Sequence, residues 1–491
     1  MAKNIEALRE KYKNMSEPLK ASVWYMICNI LNKGVALLST PIFTRILTED
    51  EYGTFSIYKS WSSILIIFTS LNIFLGGYTK GLLLFKDDKK AYTSVSLAQT
   101  TVLTGIFGII YLINVDFWTS IFELPPVLIA AMFLELMLMP AFEFWAAKER
   151  FDYKYQKFVA ISLLMTVLSL VGGVIAVINS SEKVEARVFS DVLAHAIFAI
   201  TLFVIIFIQG KQIFARKYWV YNLKFNIPLL PHYLSNYVLN QSDRLMIGKM
   251  IGNDKAAYYS VAYTVSMIML LVTSAINNSL TPYLYKNFDN IEHSKRNYVE
   301  ECKKIKNFTT PIFLFVASIS LITMAFAPEV IFIFAGKKYA EAIYVIPPIA
   351  ASVFFIYLYS MFSTIEYYFQ KTVKIAIATT ISASINLILN YIFIYKFGYY
   401  AAGYTTLICY ICLSIMHYCF YKTLVREKFN SHEIYDVRSI VVTSIVLLLL
   451  MVLITFTYNS FVIRYGIIVM ILIGVIIKRN SIKELIQSFK K

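Results

Sequence analysis

Residues 21–43 read ASVWYMICNILNKGVALLSTPIF. As a helix rising 1.5 Å per residue, this run is about 35 Å long, enough to cross the roughly 30 Å hydrocarbon core of a bilayer. Lys33, near the middle, is its only charge. A charge at that depth is costly, and marks either a substrate or ion path or an ion pair across helices. Further apolar runs recur over residues 54–74, 93–113, 127–147, 159–178, 188–208, 227–250, 256–279, 308–326, 342–367, 373–394, 401–420, 441–456 and 462–477, the last of them short. The expectation is an all-α polytopic membrane protein with about 14 transmembrane helices.

Of the 491 residues, 58% are hydrophobic and only 15% charged, too few polar groups to cover a soluble protein of this size. The net charge of +16 suggests nucleic acid until the charges are placed. Of the 46 basic residues, 34 fall in the alternate connections that share a side with residues 1–20. This bias predicts that both termini are cytoplasmic, with anionic lipid headgroups as the counter-charge. No nucleic-acid partner is expected, because no inner loop is long enough to fold. Residues 1–20 are polar, and no cleavable leader is expected. Cys409 and Cys412 have C-x-x-C spacing inside an apolar run, which reads as packing. No metal, cofactor or Walker-type ATP site is expected, so the drive for net transport is expected to be an ion gradient or membrane potential, the ion unspecified, or the downstream use of product.

Residues 45–58 resemble residues 249–262 at a constant offset, each joining the first helix of a half to the second. The organisation expected is a cytoplasmic segment 1–20, an N-lobe 21–210, a cytoplasmic linker 211–226, a C-lobe 227–421, a cytoplasmic loop 422–438, two further helices over 439–478 and a basic cytoplasmic tail 479–491. The lobes are then parallel six-helix repeats. Such folds bind substrate near the membrane midplane between the halves and rock one against the other. Pro41, Pro140, Pro228, Pro231, Pro282, Pro347 and Pro348 fall in or beside helices, where they serve as hinges or as ordinary helix shaping.

Three segments resemble the polysaccharide transporters of the multidrug/oligosaccharidyl-lipid/polysaccharide exporter superfamily. They are LSTPIFTRILTEDEYG (38–53), LPHYLSNYVLNQSDRLMIG (230–248), and INLILN (385–390) with FGYYAAG (397–403). The resemblance implies a flippase of the Wzx type that moves undecaprenyl-pyrophosphate-linked oligosaccharides, or teichoic-acid-type precursors, from the cytoplasmic to the outer leaflet of a bacterial plasma membrane. It also implies a polysaccharide polymerase or assembly proteins as partners. Ser39 and Thr40 stand where lipid II flippases of the superfamily carry Arg-Asp, which counts against a peptidoglycan precursor as main cargo. Two other readings stay open: a cation-coupled multidrug or small-solute antiporter, and a membrane-embedded glycan polymerase or transferase. The outer loops are too short for a packed catalytic domain, so no enzyme is expected.

A pyrophosphate in a low-dielectric cavity needs cations in place of its water. Lys33 is the first candidate, with Asn29 on the same helix face and Asn32 adjacent. Lys59 either lines the cavity or snorkels to the headgroups, the latter being favoured. Arg244 is a candidate phosphate ligand, with Asn240 extending a polar stripe. Tyr258, Tyr259 and Tyr263 read as an interfacial belt rather than as sugar-stacking platforms. For coupling or gating the candidates are Glu135, Asp191, His195, Asp243 and Glu366. A buried carboxylate can take up a proton; alternatively Glu135 neutralises Lys33, Arg187 and Asp191 form a salt bridge with His195 packed beside them, and Glu366 pairs near Lys371.

Overall fold

The computed structural model describes residues 15–293, 298–429, 432–466 and 469. Among these residues the regular elements are all helical. They are α1 (Glu17–Ile46), α2 (Glu49–Ser70), α3 (Gly77–Leu84), α4 (Lys89–Ile113), α5 (Val115–Phe122), α6 (Pro126–Phe151), α7 (Tyr155–Ile178), α8 (Lys183–Gly210), α9 (Arg216–Asn226), α10 (Leu230–Met250), α11 (Asn253–His293), α12 (Tyr298–Ala325), α13 (Ala327–Ala335), α14 (Ile346–Tyr368), α15 (Thr372–Phe397), α16 (Tyr400–Lys428) and α17 (Val437–Phe456), with three short 3₁₀ turns.

Eleven helices combine membrane length with high hydropathy. The second and seventh expected spans are also single helices, α2 and α10, but both carry more polar residues. The chain is a multi-pass membrane protein. The fourteenth expected span, 462–477, falls largely outside the described residues, so eleven spans stand on hydropathy where fourteen were expected.

Local chemistry explains where the boundaries moved. α2 begins five residues before the apolar run because Thr48 and Glu51 form a capping box. The Glu51 amide donates to Thr48 Oγ1 at 3.2 Å and the Thr48 amide donates to Glu51 Oε2 at 2.7 Å. Glu49, Asp50 and Glu51 then face the positive end of the helix dipole. α11 runs for 41 residues, roughly 60 Å, well beyond the expected 256–279.

The chain divides into two compact units, Met1–Tyr237 and Val238–Lys491, with the division inside α10. In the first unit α8 packs against α2, α4, α6 and α7. Their outer faces expose aliphatic side chains such as Leu164, Val171, Leu193 and Ile200, as a lipid solvent requires. In the second unit α14 is the central helix, packed against α11, α12, α16 and α17. Tyr259 and Tyr263 are buried in this unit and hydrogen-bonded to Asp243 and Asn240, so they form no interfacial belt.

Candidate functional site

Four charged side chains and a histidine meet inside the first unit. Lys59 on α2 lies 3.3 Å from Glu135 Oε1 on α6 and 3.1 Å from Asp191 Oδ2 on α8. Arg187 Nη1 lies 2.6 Å from Asp191 Oδ1, one turn away on the same helix. Its guanidinium also stacks on Phe43 and Phe55, at 4.2 and 4.8 Å from the ring centres. Tyr58 donates to Glu135 Oε2 at 2.8 Å, and Ser169 on α7 donates to Asp191. His195 Nδ1 is 3.7 Å from Glu135 Oε1, within ion-pair range but beyond a normal hydrogen bond. Two carboxylates thus face two fixed cations and one titratable ring, which is how a low-dielectric interior tolerates charge.

The cluster is not sealed. Lys59 and Glu135 line a cavity of about 370 Å³ together with Ser62, Asn72, Glu143 and Tyr237. The Lys59 ammonium is held by Glu135 and Asp191, so it does not reach for headgroups as a snorkelling lysine would. Glu135 belongs to Lys59 and does not neutralise Lys33.

Lys33 and Asn29 share an exposed face of α1. Among the described residues, Lys33 has no hydrogen-bond or ion-pair partner. Asn32 points elsewhere: it donates to Ser162 Oγ at 2.7 Å and accepts from Thr166 at 2.9 Å, tying α1 to α7. The first unit therefore brings Lys59, Glu135, Asp191 and His195 together and leaves Lys33 and Asn29 outside that cluster.

The second unit holds a different arrangement. Asp243 is buried and accepts hydrogen bonds from Asn390 Nδ2 at 2.5 Å, Thr406 Oγ1 at 2.8 Å and the Tyr259 hydroxyl. Asn390 also donates to Asn386 Oδ1 at 3.1 Å and accepts from Thr405. Hydroxyl and amide groups from α11, α15 and α16 thus converge on one carboxylate of α10. Arg244 turns away from it: Nη1 donates to Asn240 O at 2.8 Å and Gln241 Oε1 at 2.7 Å, and the guanidinium stacks on Tyr263 at 4.3 Å. Tyr263 donates in turn to Asn240 Oδ1 at 2.9 Å. Glu366 lies elsewhere on α14, fully buried, 2.7 Å from His417 Nδ1 on α16. Its side-chain partner is His417, not the nearby Lys371.

Sequence reasoning missed Tyr58, Asn386, Asn390, Thr406 and His417. A signal existed for two of them. Asn386 and Asn390 are one turn apart in a membrane-length helix, and buried amides must find partners.

A family model described as "Polysaccharide biosynthesis protein" matches residues 19–288, more than half of the chain. The Lsg locus protein 1 of Haemophilus influenzae is 23% identical over 390 residues, covering 77% of this chain and 84% of the relative. A Haloferax volcanii protein named "Probable low-salt glycan biosynthesis flippase Agl15" is 24% identical over 202 residues, covering 41% of this chain and 42% of the relative. Among solved structures, the fold is similar to the lipid II flippase MurJ in an inward closed conformation. The TM-score is 0.70 at 14% identity, covering 94% of this chain and 100% of that one. It is also similar to an inward-facing multidrug resistance MATE family transporter of the MOP superfamily. That TM-score is 0.61 at 14% identity, covering 80% of this chain and 95% of that one. A polytopic helical fold and a family match over residues 19–288 place this chain in the polysaccharide biosynthesis protein family.

Proposed function

We propose that this protein is a flippase that carries a lipid-linked glycan precursor across a bacterial plasma membrane by alternating access, with both termini cytoplasmic. The observation that supports this best is the cavity beside Lys59 and Glu135. Its lining sets hydroxyl, amide and charged groups among Ile66, Phe74, Leu75, Leu136 and Met139, within a unit built from membrane-length apolar helices. Lipid tails do not need such a lining; a sugar or phosphate headgroup does. The flippase name of the Haloferax relative and the family's link to polysaccharide biosynthesis point the same way.

In this reading the cargo is an undecaprenyl-pyrophosphate-linked oligosaccharide or a teichoic-acid-type precursor. Lys33 with Asn29, and Lys59, meet its phosphates and sugars, with Asn32, Arg244 and Asn240 as supporting groups. Lys33 suits a moving phosphate because an ammonium is a point charge that binds without locking geometry. Coupling to an ion gradient falls to the carboxylates, Asp243 and Glu366 in the second unit and Glu135 and Asp191 with His195 in the first. Polymerase or assembly proteins downstream would consume the product.

A second reading, a cation-coupled small-solute antiporter, is favoured by one observation: Asp243 is a buried carboxylate beside the hydroxyls of Thr406 and Tyr259, oxygen groups of the kind a hard cation takes as ligands. Depleting the protein in its native cell and identifying the lipid-linked glycans that accumulate separates the two. A specific oligosaccharide trapped on the cytoplasmic leaflet supports the flippase and names its cargo. No accumulating glycan, with unchanged surface polymer, sinks it in favour of the antiporter.

A further inference from the structure

A second cavity of the first unit, about 690 Å³, is separate from the one beside Lys59. It lies where α4, α6, α7 and α8 meet, at the end of the unit that carries the basic residues. Lys90, Lys148, Lys154 and Lys157 line it with a single carboxylate, Glu149, and the ring of Trp145. No carboxylate lies within ion-pair distance of Lys90, Lys148 or Lys157 among the described residues, and Lys154 reaches only Asp152, at 3.9 Å. Glu149 is 8% exposed and its Oε2 has no hydrogen-bond partner among the described residues. Four ammonium groups around one pocket repel one another, so the pocket carries an electrostatic demand that this one carboxylate does not meet.

The walls are apolar in one direction. Ile161 of α7 and Ile197 and Ile205 of α8 border the cavity, with Thr201 between the last two. From there the exposed aliphatics continue along both helices, through Leu164 and Leu168 on α7 and Leu193 and Ile200 on α8. The position of Lys90 is fixed by close backbone packing. A Cβ on Gly210 would lie 2.2 Å from Ser94 Cβ and 2.6 Å from Lys90 O, so α4 meets the end of α8 only because residue 210 is glycine. Ser94 Oγ then donates to Gln212 O at 2.7 Å. The basic rim is built into the packing of the helices.

We propose that this cavity binds the phosphate-bearing headgroup of an anionic lipid, whose chain lies along the exposed aliphatic faces of α7 and α8. Basic pockets between membrane helices on the positive side are suited to such headgroups. The ligand class is a phosphate ester or diphosphate joined to a long apolar chain. Bilayer phospholipids and polyprenyl diphosphates both have this chemistry. The site is separate from the Lys59 cavity and its binding does not depend on transport.

The test uses full-length purified protein and direct binding titration with three probes: farnesyl pyrophosphate, a short-chain phosphatidylglycerol and inorganic pyrophosphate. The Lys148→Gln/Lys157→Gln variant is expected to lose at least about tenfold in affinity for the amphiphilic probes, while Lys148→Arg/Lys157→Arg keeps it. Binding of both amphiphiles supports a general phospholipid headgroup site, and binding of farnesyl pyrophosphate alone supports one selective for isoprenyl diphosphates. Inorganic pyrophosphate binding as tightly as farnesyl pyrophosphate overturns the lipid assignment. A folded glutamine variant that binds like the wild type overturns the site. If that variant does not fold, Lys90→Gln/Lys157→Gln, with two exposed side chains, gives the same readout. The assay measures binding alone, so its failure leaves the flippase reading untouched.

Discussion

Lys59 on α2 stands 3.1 Å from Asp191 on α8, and the same ammonium lies 3.3 Å from Glu135 on α6. One cation therefore holds three helices, and Asp191 shares itself between Lys59 and the buried Arg187. Removing a buried carboxylate leaves its cation without compensation, which costs about 3–5 kcal/mol, whereas replacing the whole pair with apolar groups is near neutral. Asp191→Asn is thus expected to lower Tm strongly in detergent, and Asp191→Leu/Arg187→Met to recover more than half of that loss. Additive effects of the two positions would show that they do not act as a pair.

Lys33 differs in kind. It has no partner among the described residues, so removing it breaks no ion pair there. Lys33→Ala is expected to insert and melt like the wild type, with Tm unchanged, yet to abolish transport. Lys33→Arg should keep part of the activity, because the charge survives while its hydration and geometry change. Transport assays paired with thermal melts decide this. Full activity in a properly inserted Lys33→Ala protein removes the residue from the mechanism.

Hydropathy made the thirteen long helices legible, since a span need only be apolar and long enough. Lys33 stood out as the lone charge in its run, but its placement on an exposed face apart from the Lys59 cluster depends on helix rotation. The start of α2 was written in Thr48 and Glu51, but as a capping signature that apolar counting ignores. Partners were harder. Lys59 and Glu135 are 76 residues apart, and their meeting depends on how two helices rotate about their axes, which hydropathy does not encode. Glu366 was assigned to the lysine nearest in sequence, whereas the packing of α14 on α16 gave it His417.

The Asp243 cluster makes a prediction about directionality. Its carboxylate receives donors from Tyr259, Asn390 and Thr406. Asparagine at 243 would turn one acceptor into a donor facing donors, leaving buried groups unpaired at about 1–3 kcal/mol each. Asp243→Asn is expected to lower Tm and to abolish any dependence of transport on a cation gradient. Tyr259→Phe removes one donor only, and should lower Tm less while keeping that dependence. Gradient-driven uptake in proteoliposomes, with and without the cation, reads both. Unaltered cation dependence in Asp243→Asn would exclude the residue from coupling.

Glu366 and His417 are both fully buried, 2.7 Å apart, with the His417 ring stacked on Tyr359 at 5.6 Å. Glu366 Oε2 and His417 Nε2 have no other hydrogen-bond partner among the described residues. The pair is therefore half-satisfied, and such a network is held less by its own energy than by the cost of breaking one side. His417→Leu would strand the Glu366 carboxylate in an apolar core, at about 3–5 kcal/mol. Glu366→Met/His417→Phe fills a similar volume without burying a polar atom, and is expected to melt at or above the wild-type Tm. If the double variant is also more stable but inactive in transport, the pair is kept for the transport cycle and not for folding. If it is both stable and active, Glu366 has no role in coupling or gating.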